Sequence, residues 1–383
     1  MKVVIVGDVL NGHNGTCPLF LNLADGLIQG GHEVVLIYFS KTKDWSNLSS
    51  LLKDKTVYFI KKQVFDIFEF PIRWLIKKIM WTFNYEDITY LFRQFRLGRI
   101  IRKIGKNPDL IIYQNPQSAL YLLLQSGSSN NLVYLFEPVE FQNMKHLQRL
   151  FYLVIFNRVF KVGRLIAASE KTRQATQVSL NKYIDCVPLF GFNSVRQNSI
   201  LMREIILLDT RWTETREPLF VIEILEKLSE FKFIMHGKFS KPLLRNKLIE
   251  ELNKRKLNSR CELISETSHE ELVALYKRCK ILLRWSANPE YGNSTSVFNA
   301  IQYDCVPIID KYLGSAEFVA TELSSDLVVD RKPESFVAQI KKIMFNEKYY
   351  LSLIERISIV KDKYNWTKRA EEIIDVFKKD YPK

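Results

Sequence analysis

Residues 268–307 read SHEELVALYKRCKILLRWSANPEYGNSTSVFNAIQYDCVP, and the fold is decided there. Ser268 stands three residues before Glu271, the spacing of a capping box, and Leu272, Leu275 and Tyr276 recur at helical intervals. This predicts an amphipathic helix. The apolar run Ile281 to Trp285 is short and bounded by polar residues, as in a buried strand. A loop of small polar residues follows, Gly292-Asn293-Ser294-Thr295-Ser296. It leads into a second apolar-periodic segment, Val297, Phe298, Ala300 and Ile301. Strand, small-residue loop and helix together make an anion site. Free N–H groups at the helix start and the positive end of its dipole face the space above the strand's C-terminal edge. The stretch predicts a bound phosphate.

The same residues resemble the nucleotide-binding core of the family-four retaining glycosyltransferases of the GT-B fold. In that family a Glu, seven residues and a second Glu precede a helix like Ala-Met-Ala-Cys-Gly-Val-Pro. Asn299-Ala300-Ile301, running to Asp304-Cys305-Val306-Pro307, matches the helix. Asn299 stands where the second Glu binds ribose hydroxyls. An Asn still hydrogen-bonds a hydroxyl, without charge assistance. Glu290 corresponds to the first Glu, one residue out of the usual register, which makes it the implied sugar contact.

Further motifs follow in the family's order. The strand-like Ile205-Ile206-Leu207-Leu208 precedes Arg211 and Arg216. The family places an Arg and, five residues on, a Lys there, gripping the donor diphosphate. Here Arg216 replaces the Lys, and its planar fork suits phosphate oxygens. Glu217-Pro218 and the periodic run to Leu228 resemble the next helix, and Phe233-Ile234-Met235-His236-Gly237 the next strand and turn. Gly314-Ser315-Ala316-Glu317-Phe318-Val319 resembles the element beside the donor sugar, which implies a sugar contact for Glu317. Tyr364-Asn365-Trp366 opens a final amphipathic helix that, in the family, crosses back to the first domain.

The N-terminal half resembles the family less closely. Val3-Val4-Ile5-Val6 is a continuous apolar run typical of a buried parallel strand. The loop Asn11 to Thr16, a helix through Phe20, Leu23 and Leu27, and a strand from Val34 to Phe39 complete a βαβ opening. That loop is no Gly-x-Gly-x-x-Gly fingerprint, which disfavours a nicotinamide cofactor. Later strands are expected at Asp109–Tyr113, Leu132–Phe136, Leu165–Ala168 and Cys186–Leu189. Gly15 and Glu137 are carried as substrate-binding candidates. Many family members place a His before the Glu-Pro matching Glu137-Pro138, and this chain has Phe136.

The expected architecture is therefore α/β and GT-B, two Rossmann-like domains facing across a cleft. Residues 1–192 would bind acceptor, with helix 366–383 returning to them, and residues 200–365 would bind a nucleotide sugar. A chain of 383 residues, 47% hydrophobic, is long enough for two such cores. The polar stretch Gly191 to Glu204 is the expected linker. No secretory signal or apolar run of about 20 residues is apparent, and the five scattered cysteines suit a reducing cytoplasm. The resemblance implies no metal and no cofactor.

The net charge is +14. Much of it lies between Lys61 and Lys106, where Trp74, Trp81 and several Phe interleave with Lys77, Lys78, Arg99 and Arg102. Such a region suits an anionic membrane surface, and so a peripheral enzyme at the membrane's inner face. It equally describes apolar core residues with solvated basic faces. Nucleic acid is a weaker reading, because no recognised motif accompanies the charge. The expected activity is transfer of a sugar from a nucleotide diphosphate to a lipid-linked or surface-glycan acceptor, with retention. The alternative is a catalytically weak, glycosyltransferase-like scaffold, motivated by Phe136 and Asn299.

Overall fold

The computed structural model describes residues 1–7, 17–40, 57–61, 97–104, 108–116, 118–119, 130–138, 150, 153–154, 157, 163–193 and 203–379. The chain divides into two compact units, residues 1–191 with 366–383, and residues 192–365.

The first unit is built on strands β1 (Lys2–Gly7), β2 (Glu33–Ser40), β3 (Val57–Lys61), β4 (Leu110–Tyr113), β5 (Asn131–Leu135), β6 (Arg164–Ala167) and β7 (Asp185–Cys186). They form one parallel sheet in the order β3-β2-β1-β4-β5-β6-β7. Successive side chains in a strand point to opposite faces, so both faces need cover and the strands read as unbroken apolar runs. Val4, Val6, Val35, Ile37 and Tyr113 pack on one face with Leu97 and Ile101. Val3, Ile5, Val34 and Leu36 pack on the other. There they meet Phe20, Leu23 and Leu27 of helix α1 (Cys17–Gln29), and Ile373 and Ile374 of the chain's last helix, Trp366–Lys378. That helix returns to this unit because one of its faces is apolar. Arg369 ties it down by donating from Nε to the Phe190 carbonyl at 3.0 Å. Arg164 donates to the carbonyls of Val376 and Lys379 and so satisfies the helix's C-terminal end.

The second unit holds β8 (Ile205–Asp209), β9 (Phe233–His236), β10 (Cys261–Ile264), β11 (Cys279–Arg284), β12 (Val306–Asp310) and β13 (Val328–Val329). Their order is β10-β9-β8-β11-β12-β13, again all parallel. Strand β11 is buried along its whole length and starts two residues before the apolar run that announces it. The helix His269–Arg278 before it carries the full capping box, Ser268 accepting from Glu271 N and Glu271 accepting from Ser268 N. After β8, a 3-10 turn at Glu214–Arg216 precedes the helix Phe220–Glu226. The strand order reverses between β8 and β11. At such a switch point the loops leaving neighbouring strands turn apart, opening a crevice beyond the strands' C-terminal ends.

Candidate functional site

Three loops leave that C-terminal edge, after β8, β11 and β12. The loop after β8 carries Thr210, Arg211 and Arg216. Arg211 is exposed and makes no ion pair among the described residues. Arg216 is tethered. Its Nη1 donates to Thr210 Oγ1 at 2.7 Å and to the Arg211 carbonyl at 3.1 Å, and its Nε donates to Glu290 Oε1 at 3.2 Å. Nη2 has no protein partner among the described residues, and 28% of the side chain remains exposed. The backbone here is fixed from two sides. Trp285, buried, donates its indole N–H to the Arg216 carbonyl at 3.0 Å, and Ala287 N donates to the Thr215 carbonyl at 2.7 Å. Gly237, at φ +119°, lets the turn after β9 pass beneath Thr210, where a Cβ would lie 2.0 Å from the Thr210 carbonyl oxygen.

Strand β11 ends on Arg284, 3% exposed. Its Nη2 reaches both carboxylate oxygens of Glu290, at 2.8 and 2.9 Å, and its Nη1 donates to the Trp285 carbonyl. Burial lowers the Arg284 pKa, with the neighbouring Glu290 opposing the shift. Arginine nevertheless stays protonated at neutral pH, so a full positive charge is enclosed here. Asp310, at the end of β12, accepts from Ser286 N at 2.7 Å and Tyr312 N at 2.6 Å. Burial raises its pKa against those two hydrogen bonds.

The loop 292–296 runs into the helix Thr295–Gln302. Ser294 N donates to Ser315 Oγ at 2.9 Å, and the hydroxyls of Ser294 and Ser296 lie 2.9 Å apart. Gly314 admits the loop, since a Cβ there would meet the carbonyl oxygens of Tyr291 and Gly292 at 2.4 Å. No side chain caps the helix start, and the Val297 N–H donates to the Ser294 carbonyl at 3.1 Å, which leaves the N–H groups of Thr295 and Ser296 for an anion. Asn299 lies inside this helix, half-buried, near the Tyr276 hydroxyl, which sits 3.3 Å from the Ser296 carbonyl. That hydroxyl also donates to Asp209 Oδ2. Asp209 Oδ1 pairs with His236 Nδ1 at 2.7 Å, and His236 Nε2 lies 3.0 Å from Thr267 Oγ1. Burial, with the Asp209 charge, raises the Tyr276 pKa well above its ordinary value.

The structure thus gathers Arg216 and Glu290 with Arg284, and sets Gly292, Asn293, Ser294, Thr295 and Ser296 beside Ser315. Glu317 is exposed in the short helical turn Ala316–Phe318. Glu137 is exposed at the end of β5 in the first unit, and Gly15 lies outside the described residues. The sequence reading omitted Arg284, Asp310 and the Asp209–Tyr276–His236 network. Arg284 had a visible signal, a lone cation in an apolar strand run. Such a residue is rarely buried without a carboxylate.

Residues 194–379 match the family described as glycosyl transferases group 1. No curated protein matches the chain in sequence. Among solved structures, the chain is similar to a glycosyltransferase from Rickettsia africae ESF-5, with a TM-score of 0.71, 16% identity and 98% of each chain covered. It is similar to the trehalose-6-phosphate enzyme of E. coli bound with UDP-2-fluoro glucose, at 0.69, 12% and 100% of each chain. It is also similar to Anabaena Alr3699/HepE in complex with UDP and glucose, at 0.69 and 11%, over 98% of this chain and 99% of that one. The two parallel-sheet Rossmann-like units are those of the GT-B fold. Residues 194–379 belong to the group 1 glycosyltransferase family.

Proposed function

We propose that this enzyme transfers a hexose from a nucleotide diphosphate sugar to a lipid-linked or surface-glycan acceptor, with retention and without a metal. The observation that carries the donor reading is the placement of Arg211 and Arg216 beyond β8, at the strand-order reversal, in the same unit as the uncapped start of helix 295–302. Arg211 is free to move onto a ligand, and Arg216 keeps Nη2 open. As the glycosidic bond breaks, negative charge develops on the leaving diphosphate. Two guanidinium groups and the first-turn N–H groups stabilise that added charge more than they stabilise the less negative diphosphate of the intact donor. UDP and UDP-2-fluoro glucose in the similar structures are consistent with such a donor. Retention is described for trehalose-6-phosphate synthase, another similar structure. The acceptor class and a place at an anionic membrane rest on the family resemblance and on the charge of residues 61–106. Most of that region lies outside the described residues.

A thermal-shift panel of UDP, GDP and ADP sugars tests the donor reading. A ligand that binds only the folded protein stabilises it by about 2.7 kcal/mol at a hundred times its Kd. The tightest donor should lose at least about a hundredfold in affinity when Arg211 and Arg216 are both Ala, because charge-assisted bonds to phosphate are lost. Unchanged calorimetric affinity in a folded double variant would sink the assignment.

A further inference from the structure

Glu290 is the residue whose carboxylate the family resemblance directs to the donor sugar. In this chain that carboxylate is already engaged from two sides. Arg284 Nη2 holds both of its oxygens, and Arg216 Nε holds Oε1. Its backbone is fixed as well, Glu290 N donating to the Tyr312 carbonyl at 2.9 Å. We infer that Arg284 and Glu290 form a positioning pair, which orients Arg216 toward the donor diphosphate and leaves Glu290 out of the sugar contact. The inference rests on the nucleotide-donor reading above.

The energetics of burial explain why the pair exists. Arg284 lies at the end of a fully buried strand, and its guanidinium cannot be enclosed without an anion. Among the described residues, Glu290 is the carboxylate that reaches it. Arg284 Nη2 bridges both carboxylate oxygens and Arg216 Nε takes Oε1, so contacts from two side chains on different segments hold the carboxylate in place. A fixed Oε1 in turn fixes where Arg216 Nε must lie. Thr210 Oγ1 and the Arg211 carbonyl hold Nη1, and two held nitrogens set the plane of a rigid guanidinium. What remains is Nη2, presented in one direction at no further entropic cost on binding. The charge count agrees with a phosphate ligand. Arg211, Arg216 and Arg284 stand against Glu290 and the buried Asp310, so the cluster retains one positive charge for an anion to neutralise.

Arg284→Met combined with Glu290→Leu removes one cation and one anion, leaving the local net charge unchanged. Replacing a buried ion pair with apolar residues also leaves stability roughly intact or raised, and urea unfolding checks this. UDP, GDP and ADP serve as probes, the tightest binder being used throughout. The expected result is a loss of about tenfold or more in affinity for the nucleoside diphosphate, from one oriented charged contact. The loss should vanish in an Arg216→Ala background, because the pair acts through Arg216. Glu290→Gln should weaken the nucleoside diphosphate and its sugar conjugate by the same factor. A direct sugar contact would weaken only the conjugate, and a purely electrostatic role would tighten both. Wild-type affinity in a folded Met/Leu variant overturns the positioning role. Equal losses with and without Arg216 overturn it too. If the wild-type protein binds none of the three nucleotides, the donor reading itself falls and takes this inference with it.

Discussion

At the scale of single residues, the site depends on backbone positions as much as on charged side chains. Gly237 is the sharpest case. Its φ of +119° is a region that L side chains avoid, and the carbonyl its Cβ would strike belongs to Thr210, whose hydroxyl receives Arg216. Gly237→Ala therefore carries two penalties. Stability should fall by about 2 kcal/mol or more, from backbone strain and the forced shift of Thr210. Nucleotide affinity should fall as well, because Thr210 moves away from Arg216. Urea unfolding and calorimetry read the two separately. A variant that loses stability and keeps full nucleotide affinity would show that Thr210 does not govern Arg216. Asn299 bears on the same surface differently. It is half-buried inside the helix Thr295–Gln302, near the Tyr276 hydroxyl that donates to Asp209, and Ser294 rather than Asn299 is the N-cap.

At the scale of elements, the three central strands β8, β9 and β11 of the C-terminal sheet were legible because each is short, apolar and bounded by polar or turn residues, whereas Val306-Pro307, read with the helix, opens β12. Ile205–Leu208 and Phe233–His236 fall on strands, and Ile281–Trp285 does so up to Arg284, where β11 ends. The Ser268–Glu271 box was legible for the same local reason, since both partners lie within one turn. The Arg284–Glu290–Arg216 cluster was not. Its members come from two loops and a strand end, and spacing along the chain says nothing about which carboxylate meets which cation. Strand β13 is two residues long, too short to carry a periodicity. The buried pair Lys361 and Asp304, 2.6 Å apart and 6% and 5% exposed, was hidden likewise. It joins the helix Glu347–Lys363 to the turn after the helix carrying Asn299, two residues past its end, where Asp304 takes φ +57°. Lys361→Met strands a buried carboxylate and should cost about 3–5 kcal/mol in urea unfolding. Adding Asp304→Asn should recover most of that, since Asn tolerates the left-handed backbone and carries no charge. A silent Lys361→Met would mean that Asp304 is solvated in its absence.

At the scale of the whole molecule, the net charge of +14 is the property still to be placed. The described part of the basic region agrees with apolar core residues and solvated basic faces. In the helical segment 97–103, Leu97 and Ile101 are buried in the core while Arg99, Arg102 and Lys103 are exposed. The bases are therefore available to a surface, but these apolar residues are not. The aromatic residues between 62 and 96, with Trp74 and Trp81, lie outside the described residues. Among the described residues no helix is long and apolar enough to cross a membrane. The exposed bases of segment 97–103 predict that attachment through this region weakens as salt rises. Each basic residue near an anionic surface contributes about 1 kcal/mol, over a range of about 8 Å at physiological salt. Four reversals, Lys77, Lys78, Arg99 and Arg102 to Glu, remove about 4 kcal/mol of attraction and add repulsion of the same origin. The expected outcome is sedimentation with phosphatidylserine vesicles at low salt, steep release as salt rises, and loss of binding in the reversed variant. Nucleotide affinity should be unchanged, since the proposed donor residues lie in the other unit. Binding to neutral vesicles as strong as to anionic ones would refute the electrostatic account and shift the weight to the aromatic side chains. No binding to either would leave the basic face to an anionic acceptor in solution, and salt dependence of KM for that acceptor would then carry the signature of the charge.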